Sequence, residues 1–405
     1  MRIIQINAFY KYGSTGRIVT ELEELMRING IEPYALFGRS MSNDSYGAHV
    51  YKIDKTREYY AHKMMTHLTG YQGYASRECT KRAVDFIDRI NPDVIHLHNL
   101  HGHYLNLEIL FEYLRIANKM VMWTFHDCWP FTGHCAYFHS VSCNRWQTGC
   151  GDCPQKYSYP RSLFFDRSSV QWKAKRDMFL SVPRLYIITV SKWLQSLVEQ
   201  SFFQGCNIRT IYNGVDTNVF APRVNNTGLK QKYGLPQKKI ILGVSTTWTE
   251  RKGLNDFLYL SKILPDEAVI VLVGKKPKNV CFPNNIIPFG PVNDPQTLSI
   301  LYSIADVFVN PSKQETFGLT TAEAMACGTP AIVYNTTACP EVVGCDSACG
   351  SIVPSFNKDA LFEAILFRLS HSKQIDIARE RVVENFDKEK QLGKYIQLYK
   401  EYFNH

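Results

Sequence analysis

Two glutamates, Glu315 and Glu323, lie eight positions apart on either side of a glycine turn in ETFGLTTAEAMACGTPAIV. Carboxylates repel phosphate, so a pair that binds ligand should meet uncharged donors, and sugar hydroxyls are the obvious ones. The backbone amides of Phe317, Gly318 and Leu319, at the mouth of the helix expected to follow, suit the phosphates of the same ligand. Glu323 also closes Thr320-Thr321-Ala322-Glu323, a capping-box pattern in which the glutamate serves only the helix end. Both readings of Glu323 stand at this point.

Further residues carry chemistry. Thr249-Glu250-Arg251-Lys252-Gly253 sets two cations side by side, which beside a diphosphate would stabilise the charge that develops as a nucleotide departs. Exposed charges at a helix start are the plain alternative. His126 closes the apolar run WTFH and His98 ends DVIHLHN, so each stands at the end of an expected strand. Asp127 either orients His126 or caps the next turn. Gly13-Ser14-Thr15-Gly16-Arg17 forms a glycine turn without the G-x-G-x-x-G of dinucleotide-binding proteins. Cys135, Cys143, Cys150 and Cys153 follow a C-x7-C-x6-C-x2-C spacing that suits a structural zinc, with His134 and His139 as substitute ligands. Free thiols and a disulfide are the competing readings.

What must position these residues is a succession of short apolar runs alternating with amphipathic stretches. MRIIQIN, PYALFG, PDVIHLHN, KMVMWTFH and RLYIITVS form a first series. KKIILGVS, EAVIVLVG, NNIIPFG, ADVFVNPS and TPAIVYN form a second, beyond the turn Asn213–Asp216. The order implies an α/β chain with two doubly wound, Rossmann-like parallel-sheet domains in tandem, facing each other across a cleft. The expected limits are 1–212 and 213–387, with a cysteine-rich insertion at about 128–160 and a C-terminal helix, 388–405, that returns to the first domain. In such sheets ligands lie beyond the carboxyl ends of the strands, where Glu315, His98 and His126 all fall.

A length of 405 residues fits two domains, and a charged content of 20% excludes a disordered chain. MRIIQIN lacks the form of a signal peptide and no run is long enough to span a membrane, so a cytoplasmic protein is expected. The net charge of +9 reads as a solvated surface before it reads as a nucleic-acid or lipid contact. The stretch Lys55–Tyr74 mixes basic, apolar and aromatic residues, among them Lys63, Met64, Met65, Leu68, Tyr71 and Tyr74. It is either a helix packed on its sheet or a peripheral contact with an anionic membrane face.

Taken together, E-T-F-G-L-T-T-A-E followed by A-M-A-C-G-T-P-A-I resembles the E-x7-E signature of retaining family 4 glycosyltransferases of GT-B fold. The likeness runs along the whole chain, through Gly13–Arg17, Ile188–Lys192, Tyr212–Asp216 and Thr249–Gly253. It implies a nucleotide-sugar donor held by the second domain and an acceptor held by the first. Glu315 would contact the sugar hydroxyls, Glu323 the ribose, and Lys252 with Arg251 the diphosphate. Gly13, Gly16 and Arg17 would approach that diphosphate from the first domain, and His126 would position the transferred sugar. His98 and Asp127 would stand on the acceptor side. The insertion resembles that of enzymes of capsule, colanic-acid and O-antigen assembly, whose acceptors include polyprenyl-diphosphate-linked glycans. No catalytic cofactor and no nucleic acid are implied, so any zinc would be structural. The reaction implied is front-face transfer of a hexose-type sugar from a UDP-sugar, with GDP second, and the leaving diphosphate helping to deprotonate the acceptor. A noncatalytic carbohydrate or nucleotide-sugar binding protein of the same fold is the alternative.

Overall fold

The computed structural model describes residues 1–40, 46–53, 56–223, 226–344 and 348–403. Lys55, Asn404 and His405, which fall within stretches considered above, lie outside them. The chain divides into two compact units, Met1–Ile211 with Leu392–His405, and Tyr212–Gln391.

In the first unit seven strands run β1 (Arg2–Phe9), β2 (Glu32–Arg39), β3 (Val50–Lys52), β4 (Val94–Leu97), β5 (Met120–Phe125), β6 (Leu185–Thr189) and β7 (Asn207–Thr210). They form one sheet in the order β3-β2-β1-β4-β5-β6-β7, and every pairing is parallel. Parallel strands are covered on both faces, which is why β1, β4 and β5 read as nearly unbroken apolar runs. The helix Gly13–Ile28 turns Val19, Leu22 and Met26 inward. Ile3, Leu22, Met26, Val94, Met122 and Ile188 share a core with Leu392, Tyr395, Ile396 and Tyr399 of the final helix, Lys388–Phe403. Tyr399 Oη lies 2.6 Å from His96 Nδ1, so a buried polar bond also ties that helix to β4.

The second unit holds β8 (Lys239–Thr247), β9 (Ala268–Lys275), β10 (Ile286–Gly290), β11 (Val307–Asn310), β12 (Ala331–Tyr334) and β13 (Gly350–Val353), again all parallel, in the order β10-β9-β8-β11-β12-β13. Ile241, Phe257, Ile270, Leu272, Val307 and Ile332 centre its core. The edge strands β3, β7 and β13 have no counterpart among the expected runs; each has only three or four residues, and three of the four in β7, NIRT, are polar. Both sheets reverse their winding beside the first strand, between β1 and β4 and between β8 and β11. At such a point the loops on the two neighbouring strands diverge and leave room for a ligand.

Candidate functional site

In the second unit the reversal point is lined by the loops after β8 and β11. β8 delivers a single 3-10 turn, Glu250–Lys252, and the helix Leu254–Leu260 starts directly after it. Gly253 joins them at φ +78°, and a Cβ there would overlap Pro311 Cγ, so only glycine lets the two loops touch. Across this contact Lys252 Nζ donates to Glu315 Oε1 at 2.5 Å, and both side chains are largely covered. Arg251 faces another way, its Nη1 donating to the Gln314 carbonyl at 3.2 Å while its own carbonyl accepts from Lys313 N at 2.8 Å. Arg251 thus braces the Glu315 loop. Glu315 is also held by its backbone, its N–H donating to Thr337 Oγ1 at 3.1 Å and its carbonyl accepting from Ala338 N.

The helix Leu319–Ala326 begins at Gly318, whose φ of +99° turns the chain into it without a side-chain cap. The capping-box reading is therefore corrected: Thr320 lies inside the helix, and Glu323 is buried with its Oε2 accepting from Tyr302 Oη at 2.9 Å. Phe317 is buried as well, its ring against Tyr212 and Phe386. That anchor fixes the helix mouth, where the Thr321 and Ala322 amides both donate to the Gly318 carbonyl, at 2.9 and 3.2 Å, and the amides before them precede the first intrahelical bond. Leu319 stands half-buried as the first helical residue. Glu341, just beyond β12, accepts from Tyr212 Oη at 3.1 Å.

In the first unit Gly13 opens its helix, Gly16 lies buried against the Phe9 carbonyl, and Arg17 is exposed one residue later. His98 follows β4 and His126 follows β5, so neighbouring strands bring them together, His98 Nδ1 to His126 Nε2 at 3.1 Å. The protons in this contact can be assigned. Gln5 Nε2 donates to the Val19 carbonyl, which can only accept, so Gln5 Oε1 faces His98 Nε2 at 3.1 Å and must accept its proton. His98 Nδ1 is then the acceptor, and His126 carries its hydrogen on Nε2. Burial pushes the pKa of His126 down to about 4 and that of His98 well below the usual histidine range, so both rings are neutral near pH 7.

Asp127 serves the next turn and His101. Its Oδ1 accepts from Trp129 N at 2.9 Å, capping the next turn, and its Oδ2 lies 2.8 Å from His101 Nε2. Burial alone would raise its carboxyl, but the adjacent His101 and the Trp129 amide hold it below the ordinary value. His101 Nδ1 in turn meets Tyr159 Oη at 2.8 Å. This Asp127–His101–Tyr159 row went unread in the sequence, as did Gln5, Tyr302 and Thr337.

Cys135, Cys143, Cys150 and Cys153 all line one small pocket with Phe138 and Trp146, and the Gly133 amide donates to Cys150 Sγ. The spacing therefore does bring the four together. Among the described residues no group of three or more His, Cys, Asp or Glu side chains is arranged to hold a metal ion. The four thiols are free of disulfide bonds. His134 Nδ1 contacts Gln72 Nε2 at 2.9 Å and His139 lies exposed on a 3-10 turn.

Among known proteins, the Glycosyltransferase Family 4 description matches residues 15–219 and that of Glycosyl transferases group 1 matches residues 225–389. WcaC of Escherichia coli (strain K12), named as a putative colanic acid biosynthesis glycosyl transferase, is 26% identical over 259 residues, 62% of this chain and 62% of that protein. The match thus spans about three fifths of that relative. Sucrose-phosphate synthase from Thermosynechococcus elongatus superposes with a TM-score of 0.72 at 18% identity over 100% of both chains. Anabaena Alr3699/HepE, solved in complex with UDP-glucose, gives 0.68 at 15% identity over 99% of this chain and 100% of its own. The shared architecture is the GT-B fold.

Proposed function

The chain belongs to glycosyltransferase family 4, and on that premise we propose that it transfers a hexose-type sugar, with retention, from a nucleoside-diphosphate donor to a hydroxyl of a glycan or lipid-linked oligosaccharide in bacterial surface polysaccharide synthesis. UDP is the favoured nucleotide and GDP the second choice; the fold neighbour solved with UDP-glucose supports that order. The observation that carries the reading is the Lys252–Glu315 pair at the winding reversal of the second sheet.

In the proposed mechanism the donor exchanges the partners of this pair. Lys252 turns to the diphosphate, and Glu315, released from the cation, accepts from hydroxyls of the sugar. As the bond from the anomeric carbon to the diphosphate oxygen breaks, charge grows on that oxygen and Lys252 stabilises it. The acceptor oxygen bonds to the anomeric carbon on the same face and its proton passes to the departing diphosphate, so no side-chain nucleophile is required. His126 is assigned to the transferred sugar, its ring kept neutral and its tautomer set by His98 and Gln5. A neutral ring positions an uncharged sugar without pulling the anionic diphosphate out of register.

The test is a binding and slow-hydrolysis screen of UDP-, GDP- and ADP-sugars on the wild type, Glu315→Ala and Lys252→Ala. Selective binding and hydrolysis of one nucleotide sugar, reduced in both variants, is the expected result. Binding without hydrolysis under any acceptor condition would leave a carbohydrate-binding protein, and binding of none would remove the reading.

A further inference from the structure

The helix Thr56–Thr69 is inside out. Its inward face carries His62 and Thr66, with relative exposures of 1% and 0%, and His62 Nε2 and Thr66 Oγ1 lack a hydrogen-bond partner among the described residues. Its outward face carries Tyr60, Met64 and Leu68, four residues apart and therefore in one row, with Tyr60 and Met64 each 61% exposed. A helix that packs polar groups inward and shows an apolar row outward has its apolar face suited to something other than its own core.

That row continues onto the segment Lys156–Arg167. The Leu163 amide donates to the His67 carbonyl at 2.8 Å, joining the last turn of the helix to this segment. Phe164 and Phe165 stand exposed beside it, at 63% and 52%. The Arg167 guanidinium lies over the rings of both Tyr71 and Phe165, and Lys156 lies over Tyr157, itself 64% exposed. Lys63 and Arg161 are close enough to His67 to depress its pKa further, after burial, so their charges converge on the same face. The acids nearby are engaged: Glu58 pairs with Arg82 at 3.7 Å, and both oxygens of Asp166 accept backbone amides, from Cys153 and Ser168. What this face turns toward solvent is mainly apolar, aromatic and cationic, with Asp166 an exposed carboxylate among the cations.

We propose that this face of the first unit docks on an anionic phospholipid surface, with Tyr60, Met64, Leu68, Phe164 and Phe165 entering the headgroup boundary while Lys63 and Arg161 meet lipid phosphates. Exposed aromatic rings beside Lys63, Lys156, Arg161 and Arg167 match the boundary of such a bilayer, where rings sit at headgroup level and cations meet phosphate. Among the described residues no helix is long and apolar enough to cross a membrane, so attachment would be peripheral. The surface stands whichever sugar the chain transfers.

Co-sedimentation of the full chain with vesicles tests it, comparing phosphatidylcholine alone with a mixture in which about one lipid in three is phosphatidylglycerol. The wild type should partition onto the anionic vesicles and weakly onto the neutral ones. Met64→Gln with Phe164→Ser and Phe165→Ser, and separately Lys63→Glu with Arg161→Glu, should each lower the partition about tenfold or more. Circular dichroism and nucleotide-sugar binding should be unchanged in both sets, since every replaced side chain is at the surface. Wild-type protein left in the supernatant, or variants that bind as it does, would overturn the proposal. So would lipid-free self-association that these substitutions abolish, which would assign the face to a second copy of the chain.

Discussion

If the donor exchanges partners with the Lys252–Glu315 pair, the two residues respond oppositely to a bare nucleoside diphosphate, one without its sugar. In the ligand-free chain Glu315 competes with phosphate for Lys252 at 2.5 Å, with side-chain exposures of 24% for the lysine and 17% for the glutamate. A charge-assisted hydrogen bond at such a site contributes about 1.5–3 kcal/mol. Glu315→Gln removes the charged competitor but keeps the shape, so bare UDP should bind it as tightly as the wild type or up to about tenfold tighter. Lys252→Met removes the cation itself and should weaken bare UDP by about ten- to a hundredfold.

The complete donor restores the expected parallel. With the sugar present, Glu315→Gln loses a charged acceptor for the hydroxyls, and turnover should fall at least about a hundredfold. Isothermal titration of UDP and of the UDP-sugar into the wild type, both variants and the double variant separates the terms; if the screen selects GDP, GDP takes the place of UDP. Bare nucleotide binding weakened as much by Glu315→Gln as by Lys252→Met would refute the exchange, because it would make Glu315 a phosphate-side residue. Unchanged nucleotide binding by Lys252→Met would refute the role of the cation.

Three further outcomes are expected. Gln5→Met strips His98 Nε2 of its acceptor and with it the tautomer of His126; turnover should fall about tenfold with donor affinity nearly constant, and the ring-nitrogen NMR shifts of His126 should move. Gly253→Ala sets a Cβ against Pro311 at a positive φ, so unfolding should be easier by about 2 kcal/mol or more in urea titration, with loss of donor binding. Tyr302→Phe leaves the buried Glu323 without its hydroxyl and should cost about 1–3 kcal/mol of stability, read by the same titration.

Much of this was legible in the primary sequence because strand ends are legible there. His98 and His126 each terminate an apolar run, and their meeting follows once β4 and β5 are neighbours. Glu315 and Lys252 lie in loops after strands, and the same logic brings them together. The partners were not legible, since Gln5 and His98 are 93 positions apart and Glu323 meets Tyr302 from a different helix. Gln5 did leave a trace, as the one polar residue inside IIQI, part of a strand covered on both faces. The helix Thr56–Thr69 shows a harder limit. An apolar row at a spacing of four, Tyr60, Met64 and Leu68, specifies a stripe but not which side of the helix the sheet lies on, and here the buried side took His62 and Thr66.

The buried histidines of the first unit make that unit sensitive to acid. Burial pushes His62, His126 and His134 down to about 4 and His96 and His103 down to about 3. A histidine whose folded pKa lies below the unfolded 6.5 contributes stability that is present above 6.5 and is lost as pH falls toward the folded value. By pH 5 each of these five has lost about 2 kcal/mol, and even half of their combined loss is comparable with the 5–15 kcal/mol that holds an ordinary domain together. Glu23 works the other way: burial raises it to about 7, so its penalty shrinks as pH falls from 7 toward 4.5, returning about 3 kcal/mol at most. Within the second unit, Tyr212–Gln391, His371 is the only histidine and is exposed. Differential scanning calorimetry between pH 7.5 and 5 should therefore show two transitions that separate as pH falls, the earlier one belonging to the first unit. The fluorescence of Trp248, a buried tryptophan of the second unit, should report the later one in a variant whose five other tryptophans are replaced by phenylalanine. Glu23→Gln removes the opposing term and should widen the separation at pH 5 relative to pH 7.5. A single transition throughout, or loss of the second unit first, would mean that the buried histidines are not held neutral, and the tautomer assigned to His126 would fall with them.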